Sequence, residues 1–157
     1  MDIMDYLDKA MHIEEHLAEC YKALAAWCGP KYAPEMNKLS AEETNHRNIL
    51  NVGKNYITNA PDLFGGVKIP EADLDYGLKT IPPILGSIRA KKIDLLSAFK
   101  ELLELERGFE RVHLQVSVEI KEASLRELFK GLSAGDRSHI AALERIVKEL
   151  EIGVGPR

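Results

Sequence analysis

Apolar residues recur along this chain at three- and four-residue steps over four long stretches, the spacing of helices that bury one face. Over residues 5–28 the stripe is Leu7, Met11, Ala18, Tyr21, Ala25 and Cys28, and Gly29-Pro30 ends it. Pro34 fits the first turn of a second helix reaching about residue 57, because its missing N–H would be unpaired there in any case. That helix carries Met36, Leu39, Leu50, Gly53 and Ile57 inward, and the short link before it makes the two helices antiparallel neighbours. A third helix is predicted to start at Asp94, an N-cap residue, with Leu95, Phe99, Leu102, Leu103, Phe109 and Val116 inside. Ser124-Leu125-Arg126-Glu127 reads as a capping box opening a fourth helix with Leu125, Leu128 or Phe129, Leu132, Leu143, Ile146 and Leu150 inside. Between the pairs, over residues 58–92, Pro61, Gly65-Gly66, Pro70, Pro82-Pro83 and Gly86 break the period. This predicts a long crossover holding at most short helical turns at 72–79 or 83–90. The expectation is an all-α chain: one domain, residues 1–157, folded as an antiparallel four-helix bundle with a long crossover between helices two and three.

Polar residues interrupt each stripe. Glu14 stands in the first, Glu43 and His46 in the second, Glu106 in the third, and Asp136 with His139 in the fourth. An ionised carboxylate aimed at a core is costly unless a charge or a metal compensates it. The two halves repeat: a helix with one inward acid, then a helix with an acid-x-x-His pair, 29 residues from Glu14 to Glu43 and 30 from Glu106 to Asp136. Positions i and i+3 share a helix face, so each pair can reach one ion. Four carboxylates and two imidazoles brought together form the ligand set of a ferritin-like dinuclear carboxylate site. Four ionised carboxylates about 5 Å apart would repel by roughly 3 kcal/mol per pair at an effective dielectric of about 20. The six pairs approach about 20 kcal/mol, beyond the roughly 5–15 kcal/mol that holds a domain together. Two divalent cations would neutralise them. Mixed oxygen and imidazole ligation suits iron and manganese and admits zinc.

Composition narrows the rest. A chain 45% hydrophobic and 29% charged belongs with globular proteins. A net charge of -4 and a pI near 5.8 leave no basic footprint for nucleic acid. No run of 18 apolar residues is present, so no membrane span is expected. The acidic start, Met1-Asp2-Ile3-Met4-Asp5, lacks the positive segment of a secretory signal and points to the cytoplasm. Cys20 and Cys28 read as small buried hydrophobes, and His12 and His16 as solvated residues off the stripe.

The chain resembles the rubrerythrin branch of the ferritin-like superfamily. The resemblance rests on Ala10-Met11-His12-Ile13-Glu14 with Tyr21, on residues 39–46, on Leu103-Glu104-Leu105-Glu106 and on residues 125–139. It implies Glu14 and Glu106 as terminal carboxylate ligands, Glu43 and Asp136 as bridging ones, and His46 and His139 as imidazole ligands. It also implies iron, and a di-iron oxidoreductase that reduces peroxide or oxygen, or oxidises ferrous iron for storage or buffering. A metal-free helical interaction module is the contrasting expectation.

Several residues depart from the family. Asp136 replaces a glutamate and is flanked by Gly131 and Gly135, which with the one-residue excess in the second half predicts a π-bulge. Phe109 stands where rubrerythrin carries a further glutamate, and Glu110 is the nearest substitute. No paired C-x-x-C segments are present for a rubredoxin-like unit, so a separate electron-donor protein is expected. Tyr21 reads as a packed aromatic, with a redox relay or a supporting place beside the metal ligands as the alternative, and His113 as a satisfied core histidine, with a supporting or proton-transfer role as the alternative. Phe64, Val67, Ile69, Ile84 and Leu85 are the expected contact of a homodimer.

Overall fold

The computed structural model describes residues 2–60, 69 and 71–153, and among them every regular element is helical. The five helices are α1 (Ile3–Ala25), α2 (Ala33–Asn59), α3 (Ala72–Arg89), α4 (Leu95–Glu119) and α5 (Ala123–Glu151).

Local chemistry accounts for most of the boundaries. The Asp2 carboxylate accepts from the Asp5 N–H at 2.9 Å and caps α1. That helix stops at Ala25, three residues before the expected Cys28, and the chain turns through Gly29 at a φ of 92° that favours glycine. Pro34 lies in the first turn of α2 as expected. Asp94 caps α4, its carboxylate accepting from the Ser97 N–H at 2.8 Å. The capping box at Ser124 does not form. Glu122 caps α5 instead, accepting from the N–H groups of Ser124 (3.1 Å) and Leu125 (2.6 Å), so the helix begins one residue before the serine. A side chain placed outside the helix reaches two free donors at once, which a serine hydroxyl already inside the first turn cannot do.

The crossover is the main correction. Residues 72–89 form one continuous helix through Pro82 and Pro83. Both prolines lie on the exposed side, where the carbonyls they leave unpaired can meet water, while Leu74, Ile81, Ile84, Leu85 and Ile88 face inward. The hydrophobic stripe outweighs the two missing hydrogen bonds. α3 also packs closely on α4: a Cβ at Gly77 would lie 2.6 Å from the Phe109 ring.

The helices pack as a closed sequence of neighbours: α2 on α1, α1 on α3, α3 on α4, α4 on α5, and α5 back on α2 through the slightest of these contacts. Ion pairs Lys9–Asp75 (3.1 Å) and Arg89–Glu19 (2.9 Å) tie α3 to α1, and Arg107–Glu144 (2.9 Å) ties α4 to α5. Cys20 and Cys28 are free and buried, as expected. Of the expected dimer face, Phe64 and Val67 lie outside the described residues, and Ile69, Ile84 and Leu85 are buried within the chain itself. Those three therefore serve the core rather than an exposed patch. No described helix is long and apolar enough to cross a membrane.

Candidate metal centre

The buried residues of α2 are Met36, Leu39, Glu43, His46, Leu50, Gly53 and Ile57, the stripe that the periodicity predicts with its acid and imidazole included. α1 adds Glu14, α4 adds Glu106 and His113, and α5 adds Asp136 and His139, all at 0–6% exposure. The six expected ligands converge in the middle of the core, and His113 joins them.

Three groups of donor atoms lie close enough for one ion each: Glu43, His46 and His139; Glu14, His113 and Asp136; and Glu106, Asp136 and His139. His139 Nδ1 sits 2.9 Å from Glu43 Oε1 and 3.4 Å from Glu106 Oε1. His46 Nδ1 sits 3.2 Å from Glu43 Oε2, 3.8 Å from Asp136 Oδ1 and 3.9 Å from Glu14 Oε2. The two rings stack at 5.2 Å between centroids.

These residues fit a cation. Both oxygens of Glu43, Oε2 of Glu14 and of Glu106, and Nδ1 of His46 and of His139 are buried without a hydrogen-bond partner. Orphaned polar atoms in a dry core are ordinarily rare and costly, and here six of them face one another. The buried Glu, Asp and His side chains could thus hold a metal ion.

Electrostatics describes the same requirement. Burial, reinforced by neighbouring carboxylates, pushes Glu14 well above the ordinary carboxylate range and Glu43 up to about 8. Asp136 is raised by burial too. Burial works against an imidazolium at His139, yet Glu106 and Glu43 outweigh it and hold that ring up to about 12. Glu106 is the one acid of the cluster held low: burial opposes its charge, and the nearby His139, with help from Tyr21, overcomes the opposition.

Surrounding groups fix the donors. Glu42 Oε2 pairs with His139 Nε2 at 2.8 Å, leaving Nδ1 toward the centre. Tyr21 Oη donates to Glu106 Oε1 at 2.5 Å, leaving Oε2 unpaired. Tyr21 is thus more than a packed aromatic. Glu110 does not substitute for the acid absent at Phe109: it accepts from Ser133 Oγ (3.2 Å) and Arg137 (3.3 Å) and belongs to none of the three groups. No π-bulge occurs, since α5 is α-helical from Ala123 to Glu151. The extra residue between Glu106 and Asp136 reflects unequal helix ends and links, residues 26–32 in one half and 120–122 in the other.

Gly135 has a different role. A Cβ there would lie 2.5 Å from His46 Nε2 and 2.7 Å from its Cε1, so the imidazole occupies the space a side chain would take. Glu42 and this contact escape sequence reasoning, because Glu42 lies off the buried stripe of α2 and the glycine contact exists only once α2 meets α5. No family model, no curated protein and no solved structure matches this chain.

Proposed function

We propose that this chain is a rubrerythrin-like, non-haem di-iron oxidoreductase with a ferritin-like core of α1, α2, α4 and α5. The observation that carries the reading is the convergence of four buried carboxylates and the imidazoles of His46 and His139, six of whose donor atoms have no other partner. Glu14 and Glu106 would serve as terminal ligands, Glu43 and Asp136 as bridges, and His46 and His139 as the imidazole ligands. A reduced di-iron pair supplies, when bound, the two electrons that split the O–O bond of peroxide.

The chain's own part is to hold and isolate. Tyr21 fixes one oxygen of Glu106, and Glu42 fixes the outer nitrogen of His139, so each presents its free donor inward. Burial excludes water from the cluster and strengthens every charge interaction in it. The Tyr21 hydroxyl, its pKa raised well above 10 by burial and by Glu106, keeps its proton and donates throughout. Electrons would arrive from a separate donor protein, since Cys20 and Cys28 are the only cysteines and form no C-x-x-C pair.

The test begins with protein purified without chelator and reconstituted with ferrous iron under anaerobic conditions. Roughly two irons per chain are expected, with peroxide consumed when a reductant is supplied. Glu43→Ala and His139→Ala should each lose more than the roughly 10- to 100-fold that removing an outer partner of a ligand costs. No metal after reconstitution, or variants that match the wild-type rate, would overturn the assignment. Iron oxidised by oxygen without peroxide turnover would reassign the centre to iron handling.

A further inference from the structure

His113 is the buried donor that the six-ligand reading leaves over. It lies seven residues after Glu106 on α4, as Tyr21 lies seven after Glu14 on α1. Where α1 contributes a phenol that donates its proton to Glu106, α4 contributes an imidazole whose ring nitrogen can give a lone pair. Both of its ring nitrogens face carboxylates of the cluster: Nδ1 is 2.6 Å from Asp136 Oδ2 and Nε2 is 3.9 Å from Glu14 Oε1. Two donors each about 2.0–2.2 Å from a shared ion stand at most about 4.4 Å apart, so the Nε2 to Glu14 separation admits one ion between them.

The grouping of donors points the same way. Glu43 and Glu106 have His139 beside them. Asp136 also groups with Glu106 and His139, but without His113, Glu14 would have only His46, whose Nδ1 lies nearer to Glu43. With His113, Glu14 and Asp136 form a complete three-donor group. Oε1 of Glu14 is the oxygen nearest His113, and its Oε2, buried and unpaired, lies 3.9 Å from His46 Nδ1. Tyr6 stands edge-on to the His113 ring, at 6.4 Å between centroids and 81° between planes, and helps set its orientation.

We propose that His113 is itself a metal ligand, forming with Glu14 and Asp136 a half of the centre that differs from the Glu43, Glu106 and His139 half. The two metal positions are then inequivalent. His46, placed between Glu43, Glu14 and Asp136, can add a second nitrogen to the His113 side. The ligand class for that side is a first-row divalent cation with affinity for imidazole, and nitrogen-rich ligation favours the later members of the series. This inference rests on the dinuclear reading above.

Anaerobic titration of the full chain with Co²⁺, followed by visible absorption and by contact-shifted imidazole N–H signals in proton NMR, tests it without turnover. The wild type should bind two ions in resolved steps and give shifted signals from three histidines. His113→Gln keeps an amide able to bond Asp136 but removes the ring nitrogens. It should lose one histidine signal and weaken one step by roughly 10- to 100-fold, leaving the other step intact, while His139→Ala should weaken the opposite step. A role limited to holding Asp136 predicts instead that His113→Gln binds like the wild type, and that result overturns the proposal. Two ions with only two histidine signals in the wild type would also overturn it, whatever the variants do. No Co²⁺ bound by the wild type removes the dinuclear reading itself. Three histidine signals in a protein that never consumes peroxide would remove the redox reading and leave His113 a ligand.

Discussion

At the residue scale, two glycines on one helix make opposite demands. Gly135 is pressed against the His46 ring, whereas a Cβ at Gly131 would meet nothing within 4 Å. Gly135→Ala should displace His46, destabilise the fold by about 1–3 kcal/mol and weaken metal binding. Gly131→Ala removes only the entropy penalty of a helical glycine and should stabilise by roughly 0.5–1 kcal/mol. Urea denaturation of the two variants checks this, and equal effects at both positions would refute the contact. The six candidate ligands were legible because a polar residue in an apolar stripe contradicts its surroundings, and the contradiction repeats in the second half. His113 stands in such a stripe too, but a single imidazole among apolar residues carries no partner in one dimension. Glu42 was not legible, since its helix face marks it as solvated and only the approach of α5 brings His139 to it.

At the element scale, the sequence marks helices better than it marks their ends. Asp94 announces α4 because a short acid before an apolar stripe has few other uses. Ser124 misleads because Glu122, two residues earlier, competes for the same amide groups. α3 was hidden by its proline pair, as a breaker count ignores which side of the helix the breakers occupy. The Asp94 cap carries an acid-sensitive prediction. Its hydrogen bonds to Ser97 hold the carboxyl below its ordinary value of 3.8, so the folded state binds that proton less readily than the unfolded state does. Its stabilisation is therefore present above that value and lost as pH falls through the folded pKa. Asp94→Asn keeps a capping oxygen without a titrating group. The urea midpoint of the wild type should fall relative to Asp94→Asn between pH 7 and pH 3, and a constant difference would refute the linkage.

At the scale of the whole molecule, the helices enclose a cluster of acids and imidazoles that the apolar core alone cannot satisfy. A cation that binds the folded chain and not the unfolded one adds about 2.7 kcal/mol at 100 times its dissociation constant. For a domain of this size that corresponds to a rise of roughly 5–10 °C in melting temperature. Mn²⁺, which needs no redox step, should produce it in thermal melts followed by circular dichroism, and an unchanged midpoint at saturating Mn²⁺ would argue for a metal-free bundle. The all-helical class was open to sequence reasoning because it follows from period. The closed ring of neighbours was not, because it depends on α3 filling the side between α1 and α4. The depth of the cluster also bears on time. None of the candidate ligands is more than 6% exposed, so an ion held there could enter or leave only when the helices part. Such a centre would exchange slowly, and its contents would record the metals present while the chain folded rather than those in the final buffer.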